Sequence, residues 1–168
     1  MEPRPQPHPD RSHRRPRAWA ALIVVLTTLV ALAGPAGDAI ATPETDLRRL
    51  INLERSERGV RRLKGARKAD RLAERHSRQM ARAKDIFGSR NLAQKLRRRG
   101  YRFTTWAENV GCEESVRAMH RQFMRRRSSR RAILFERFRR VGIGVARTRS
   151  RPRVCDGGTL WVTEIFFG

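Results

Sequence analysis

The hydrophobic period of this chain changes once, and that change limits the folds open to it. Through residues 43–135 apolar side chains recur at three- and four-residue steps, the spacing of amphipathic helices. Beyond that, "VGIGVARTR" (141–149) and "TLWVTEIFF" (159–167) read as two strands, rich in β-branched and aromatic residues. The link between them, "SRPRVCDGG", holds Pro152, Gly157 and Gly158, as a hairpin loop does. Helices followed by a terminal hairpin predict an α+β layered domain.

The helical part divides at its own punctuation. A first helix is expected from Pro43, with Glu44 and Asp46 at the positive end of its dipole and Gly59 as its stop. Val60 and Leu63 read as a packing linker. A second helix is expected over 67–83, with Ala69, Leu72, Ala73, His76 and Met80 on one face. His76 there is expected to be a hydrogen-bonded core residue. Residues 85–91, "DIFGSRN", form a loop in which Asn91 can cap a short helix ended by Gly100. "YRFTTWAENVG" suits an extended segment. Ser115 can cap a helix whose inner face is Val116, Met119, His120 and Phe123, and a last helical turn or two covers 129–135.

The N-terminus speaks to compartment. A Pro- and Arg-rich stretch (1–17) precedes an apolar run (18–34), followed by the small-residue "AIA" at 39–41. This is the pattern of a signal peptide, and its apolar run also reaches the lower limit of a membrane span. Residues 1–41 are therefore expected to be a cleaved signal peptide or a retained signal anchor. Either way, residues 42–168 form one exported domain, which touches a membrane through this segment only if the segment is kept. Cys112 and Cys155, an even number in an exported chain, are expected to pair. The alternative is two buried or reactive thiols.

The formal net charge is +23, and 35 of the 39 basic residues are arginine. Removing residues 1–41 takes away five arginines and three acids, so the domain itself keeps its excess. Such a charge attracts anionic lipid, anionic cell-wall polymer or nucleic acid; it is also what a compositional bias toward arginine would produce. Arg125, Arg126, Arg127, Arg130 and Arg131 are the densest cluster, and Arg137, Arg139 and Arg140 follow closely. Guanidinium forks on one face would hold phosphates or carboxylates bidentately. No reading motif for nucleic acid is present, so specific nucleic-acid binding is not expected.

Four stretches, taken in order, resemble the CAP superfamily of cysteine-rich secretory, antigen 5 and pathogenesis-related 1 proteins, and more closely its small secreted actinobacterial members. They are "LINLERSERGVRRL", "AERHSRQMA", "AENVG" and the closing "RFRRVGIGVAR … LWVTEIFFG". The resemblance covers about 46–167. It implies a three-layer α-β-α sandwich with a small antiparallel sheet. It also implies a cleft in which two histidines and acidic residues can hold a divalent metal such as zinc. Residue by residue, Glu108 and Asn109 match the "AEN" motif. The first cleft histidine falls on Gly88 in "IFGSRNL". The second falls on Ser129 in "RRSSRRAIL", with Ala132 in place of an asparagine. The second family glutamate has no acidic counterpart in "FMRRR". With one ligand left, no family-type metal site and no cofactor are expected.

No Ser–His–Asp order, H-E-x-x-H or phosphate-cradling glycine loop points to an enzyme. Glu113 and Glu114 flank a helix start, where negative charge is stabilising in any case. The expected function is a non-catalytic extracellular binding module, possessing no catalytic residues, that takes anionic lipid or cell-wall polymer through its arginines. The alternative is a secreted hydrolase-like or metal-binding CAP protein using Glu108. The residues specify no oligomeric state.

Overall fold

The first helix begins where Thr42 Oγ1 accepts the Thr45 amide and Pro43 presets the first turn, as a helix start requires. The computed structural model describes residues 41–155 and 157–168. Except for Ala41, the expected targeting segment lies outside the described residues.

In chain order the elements are α1 (Pro43–Glu57), β1 (Lys64–Gly65), α2 (Arg67–Ala83), α3 (Leu92–Arg98), β2 (Trp106–Glu113), α4 (Val116–Arg125), α5 (Arg127–Leu134), β3 (Arg140–Arg147), a 3₁₀ turn (Arg153–Cys155) and β4 (Leu160–Phe167). The sheet order is β1-β3-β4-β2. β4 pairs antiparallel with β3 on one side and β2 on the other, and the two-residue β1 adds a short parallel edge to β3. The "linker" at Val60–Leu63 therefore leads into a strand, which the sequence pattern is too short to reveal.

Burial follows the pleat. On β4, Leu160, Val162 and Phe166 join the core formed with α1, α4 and α5, while Ile165 and Phe167 pack with α2 and α3. Every residue of β4 is buried, as expected of a central strand covered on both faces. This is the expected α-β-α sandwich. The α2 helix lies directly against β3: a Cβ on Gly144 would come within 1.9 Å of the Glu74 amide nitrogen. Ser77 Oγ sits 2.9 Å from both Gly144 O and Thr163 Oγ1, donating to the carbonyl and accepting from the Thr163 hydroxyl. No helix among the described residues is long and apolar enough to cross a membrane.

Two caps behave differently. Ser115 accepts the Ala118 amide at 3.2 Å and starts α4 as expected. Asn91 does not cap α3 with its side chain. Its backbone is left-handed (φ 54°), so it acts as a turn residue and only its carbonyl enters the helix, accepting the Lys95 amide.

Cys112 on β2 and Cys155 in the 3₁₀ turn form the expected disulfide, both sulfurs buried beside Met80 and Trp161. The bond closes a loop of sequence separation 43. Removing it should cost about 4 kcal/mol by chain-entropy reasoning. Urea unfolding of the wild type against Cys112→Ala/Cys155→Ala checks this; coincident midpoints would contradict it.

Candidate functional site

The alternation of β2 sends the two residues of the "AEN" motif to opposite faces of the sheet. Glu108 turns toward the loop after α2. Its Oε2 accepts the Ser89 amide at 2.7 Å and its Oε1 accepts the Ser89 hydroxyl at 2.5 Å. Gly88 is its neighbour: a Cβ there would sit 3.4 Å from Glu108 Oε2. The loop is fixed from α2 by His76, whose Nε2 donates to Phe87 O at 2.7 Å and whose ring meets the Phe87 ring edge-on. His76 is thus the hydrogen-bonded core histidine expected.

Asn109 turns the other way. Its Nδ2 donates to Ser129 O at 3.3 Å and to Glu164 Oε2 at 3.1 Å. Ser129 is buried, so the structure joins Asn109 to Ser129 and Glu108 to Gly88, but these two pairs lie on opposite faces of the sheet. Among the described residues, none of the depressions given below is lined by both Glu108 and Ser129.

Glu164 is the residue that sequence reasoning overlooked. It is fully buried, and burial pushes its carboxyl up to about 8, with the Asn109 hydrogen bond opposing the shift. Its second oxygen, Oε1, has no hydrogen-bond partner. The signal was present: at period two, Glu164 falls in line with Val162 and Phe166, an inward position on a strand with no polar face. His120 is also buried, 3.6 Å from Glu54 Oε1, and burial lowers its pKa while the Glu54 charge opposes the shift.

The residues do not suit the family's metal. Gly88 and Ser129 offer no imidazole, and both oxygens of Glu108 already accept hydrogen bonds from Ser89. No group of three or more His, Cys, Asp or Glu among the described residues is placed to hold an ion.

The five clustered arginines are all exposed, at the corner where α4 gives way to α5. Arg126, Arg127 and Arg131, with Ser128, line an open depression of about 580 Å³. Ser128 and Arg131 also border an apolar groove of about 210 Å³, formed by Ala107, Ala132, Phe135 and Phe138. Arg125 and Arg130 line neither. Among the described residues none of the five is in an ion pair. The neighbouring arginines are engaged otherwise: Arg139 donates to Phe138 O at 3.1 Å, and Arg140 lies over the Tyr101 ring.

A four-stranded sheet between helical layers, with β2 carrying "AEN", defines an α-β-α sandwich domain. Residues 48–165 match the model of the cysteine-rich secretory protein family, CAP, and the chain belongs to that family. Solved structures share the fold. An extracellular protein containing an SCP domain from Bacillus anthracis str. Ames is 20% identical, with a TM-score of 0.59 over 74% of this chain and 40% of that one. A cysteine-rich secretory protein from Staphylococcus aureus subsp. aureus Mu50 gives the same identity and score over 74% of this chain and 38% of that one. An outer surface protein from Borrelia burgdorferi is 12% identical, with a TM-score of 0.63 over 74% of this chain and 91% of that one. The match thus spans about 40% of the length of the first two proteins. No curated protein sequence matches the chain.

Proposed function

We propose that this chain is an exported, non-catalytic binding domain that holds an anionic partner at the α4–α5 corner. The observation that carries the reading is the shared border of two surfaces: unpaired Arg126, Arg127 and Arg131 line one depression, and Arg131 also edges an apolar groove. A phosphate headgroup on the guanidinium forks, with an acyl chain along Phe135 and Phe138, would satisfy both. An anionic wall polymer would use the arginines alone. Export is supported by the signal-like N-terminus, the disulfide and the extracellular or outer-surface description of the structural neighbours.

The test is co-sedimentation of the full chain with phosphatidylglycerol vesicles, phosphatidylcholine vesicles and purified wall polymer. Each basic residue near an anionic surface contributes about 1 kcal/mol, so Arg126→Ser/Arg127→Ser/Arg131→Ser should weaken binding by about 100-fold. Binding that survives this variant unchanged would remove the corner from the account. Binding to wall polymer and not to vesicles would assign the arginines without the groove.

A further inference from the structure

We propose that the concavity between α2, the loop after it and the end of α3 is a second site, which holds the phosphate group of a small phosphate ester. It is separate from the α4–α5 corner and does not depend on that reading.

The inner part of this concavity, about 210 Å³, is lined by Arg75, His76 and Gln79 of α2, Ser89 of the loop, and Lys95 and Arg99 at α3 and its end. Three cations therefore converge from two elements, and no carboxylate lines this part. The nearest acid, Glu108, is turned onto the Ser89 amide and hydroxyl and is already occupied by them. Glu74, the other acid nearby on α2, is paired to Arg78. Among the described residues Arg75, Lys95 and Arg99 make no ion pair. Their mutual repulsion registers on Arg99, whose pKa is lowered first by burial and then by the charges of Arg75 and Arg71.

Like charges gathered in a recess, with no built-in counter-charge, are relieved by an anion. A phosphate fits the arrangement better than a carboxylate because its three oxygens can meet three cations approaching from different directions. Arg99 keeps donors for this role, since its Nη1 donates to Lys95 O at 3.2 Å and its remaining side-chain N–H groups find no acceptor among the described residues. Gln79 adds a neutral amide donor. His76, tied to Phe87 O, forms a rigid floor.

The recess continues outward into a wider depression of about 660 Å³, which shares His76, Gln79 and Lys95 and adds Asp85, Phe87 and Arg90. Phe87 is 39% exposed there. That opening leaves room for the alcohol part of the ester, with an aromatic face for a sugar ring. Asp85 and Arg90 offset each other at the opening, so the excess positive charge lies in the inner recess, which suits a single phosphate group better than a long polyanion.

Isothermal titration of the purified full chain with glucose 1-phosphate, using glucose as the neutral control, tests the proposal. The expected result is one saturable site per chain for the phosphate and none for glucose. Binding should weaken at least about tenfold in Lys95→Gln/Arg99→Gln and stay unchanged in Arg126→Ser/Arg127→Ser/Arg131→Ser. Amide chemical shifts of the wild type should move at Gln79 and Ser89 on titration, a readout that does not depend on any variant folding. Absence of saturable binding would overturn the proposal. So would equal loss in the α4–α5 variant, or shifts confined to residues 126–131.

Discussion

Arg55→Met should lower the unfolding free energy by about 3–4 kcal/mol, the largest loss expected from a single side chain outside the apolar core. Arg55 is completely buried in α1 and makes no ion pair among the described residues. Its guanidinium instead serves four backbone carbonyls. Nε donates to Arg61 O at 2.8 Å, Nη1 to Ile133 O at 2.7 Å and Phe135 O at 3.1 Å, and Nη2 to Phe138 O at 3.5 Å. Three of these lie at or just beyond the C-terminus of α5, where carbonyls lack helical partners and the dipole favours a cation. Burial, and then the charge of Arg139, lowers the Arg55 pKa, with Glu136 opposing. Methionine matches the stem but leaves the Ile133 carbonyl buried without its donor, and takes one donor each from Phe135 O and Phe138 O, which keep the Phe138 amide and Arg139 Nη1. Arg55→Lys should recover part of the loss, since an ammonium reaches fewer of them. Because Arg55 anchors the end of α5, the methionine variant should also loosen the arginine corner without altering it. Urea unfolding measures the first effect and vesicle binding the second; an unfolding midpoint equal to that of the wild type would mean the carbonyls are satisfied some other way.

Glu164→Gln should have the opposite sign at neutral pH, raising stability by about 3 kcal/mol at pH 7. In the folded chain Glu164 holds its proton until about pH 8, against 4.5 for an ordinary glutamate. Between those values the native state binds more protons than the unfolded state, so wild-type stability falls as pH rises through the window and levels off above it. Glutamine removes the titration. It remains neutral, can still accept from Asn109, and replaces an unpaired buried O–H with an unpaired N–H, so the two forms should be nearly equal near pH 4.5. The checking measurement is the difference in unfolding free energy between the two proteins from pH 4.5 to 8. A difference that stays constant across that range would show that the carboxyl is not held neutral by the fold.

These two residues mark the limit of what a pattern can show. Arg55 continues the line of Leu47 and Ile51 on the buried face of α1, but an arginine there reads from sequence as a solvated residue at the end of the helix. Its burial depends on the end of α5, 78 residues later in the chain. Glu164 was more legible, because a strand with no polar face leaves a carboxylate only inward positions. The pairing of Asn109 with Glu164 required knowing that β2 and β4 are neighbours in that register.

The helices, the two closing strands and the α+β class were legible from local information: periodicity, caps and turn residues. The α-β-α sandwich came from the family resemblance, and two cysteines made the Cys112–Cys155 pairing the expected one. The absence of an imidazole at Gly88 and Ser129, the positions that the resemblance aligns with the family's cleft histidines, was read in the same way. The tertiary structure alone decided how those positions meet. The pleat of β2 turns Glu108 toward Ser89 and Asn109 toward Ser129, so one motif serves two faces of the sheet. It also divided the arginines, a distinction that composition cannot carry because charge count says nothing of direction. Arg55 is buried on carbonyls, Arg126, Arg127 and Arg131 gather at one open corner, and Arg75 and Arg99 converge with Lys95 on another recess.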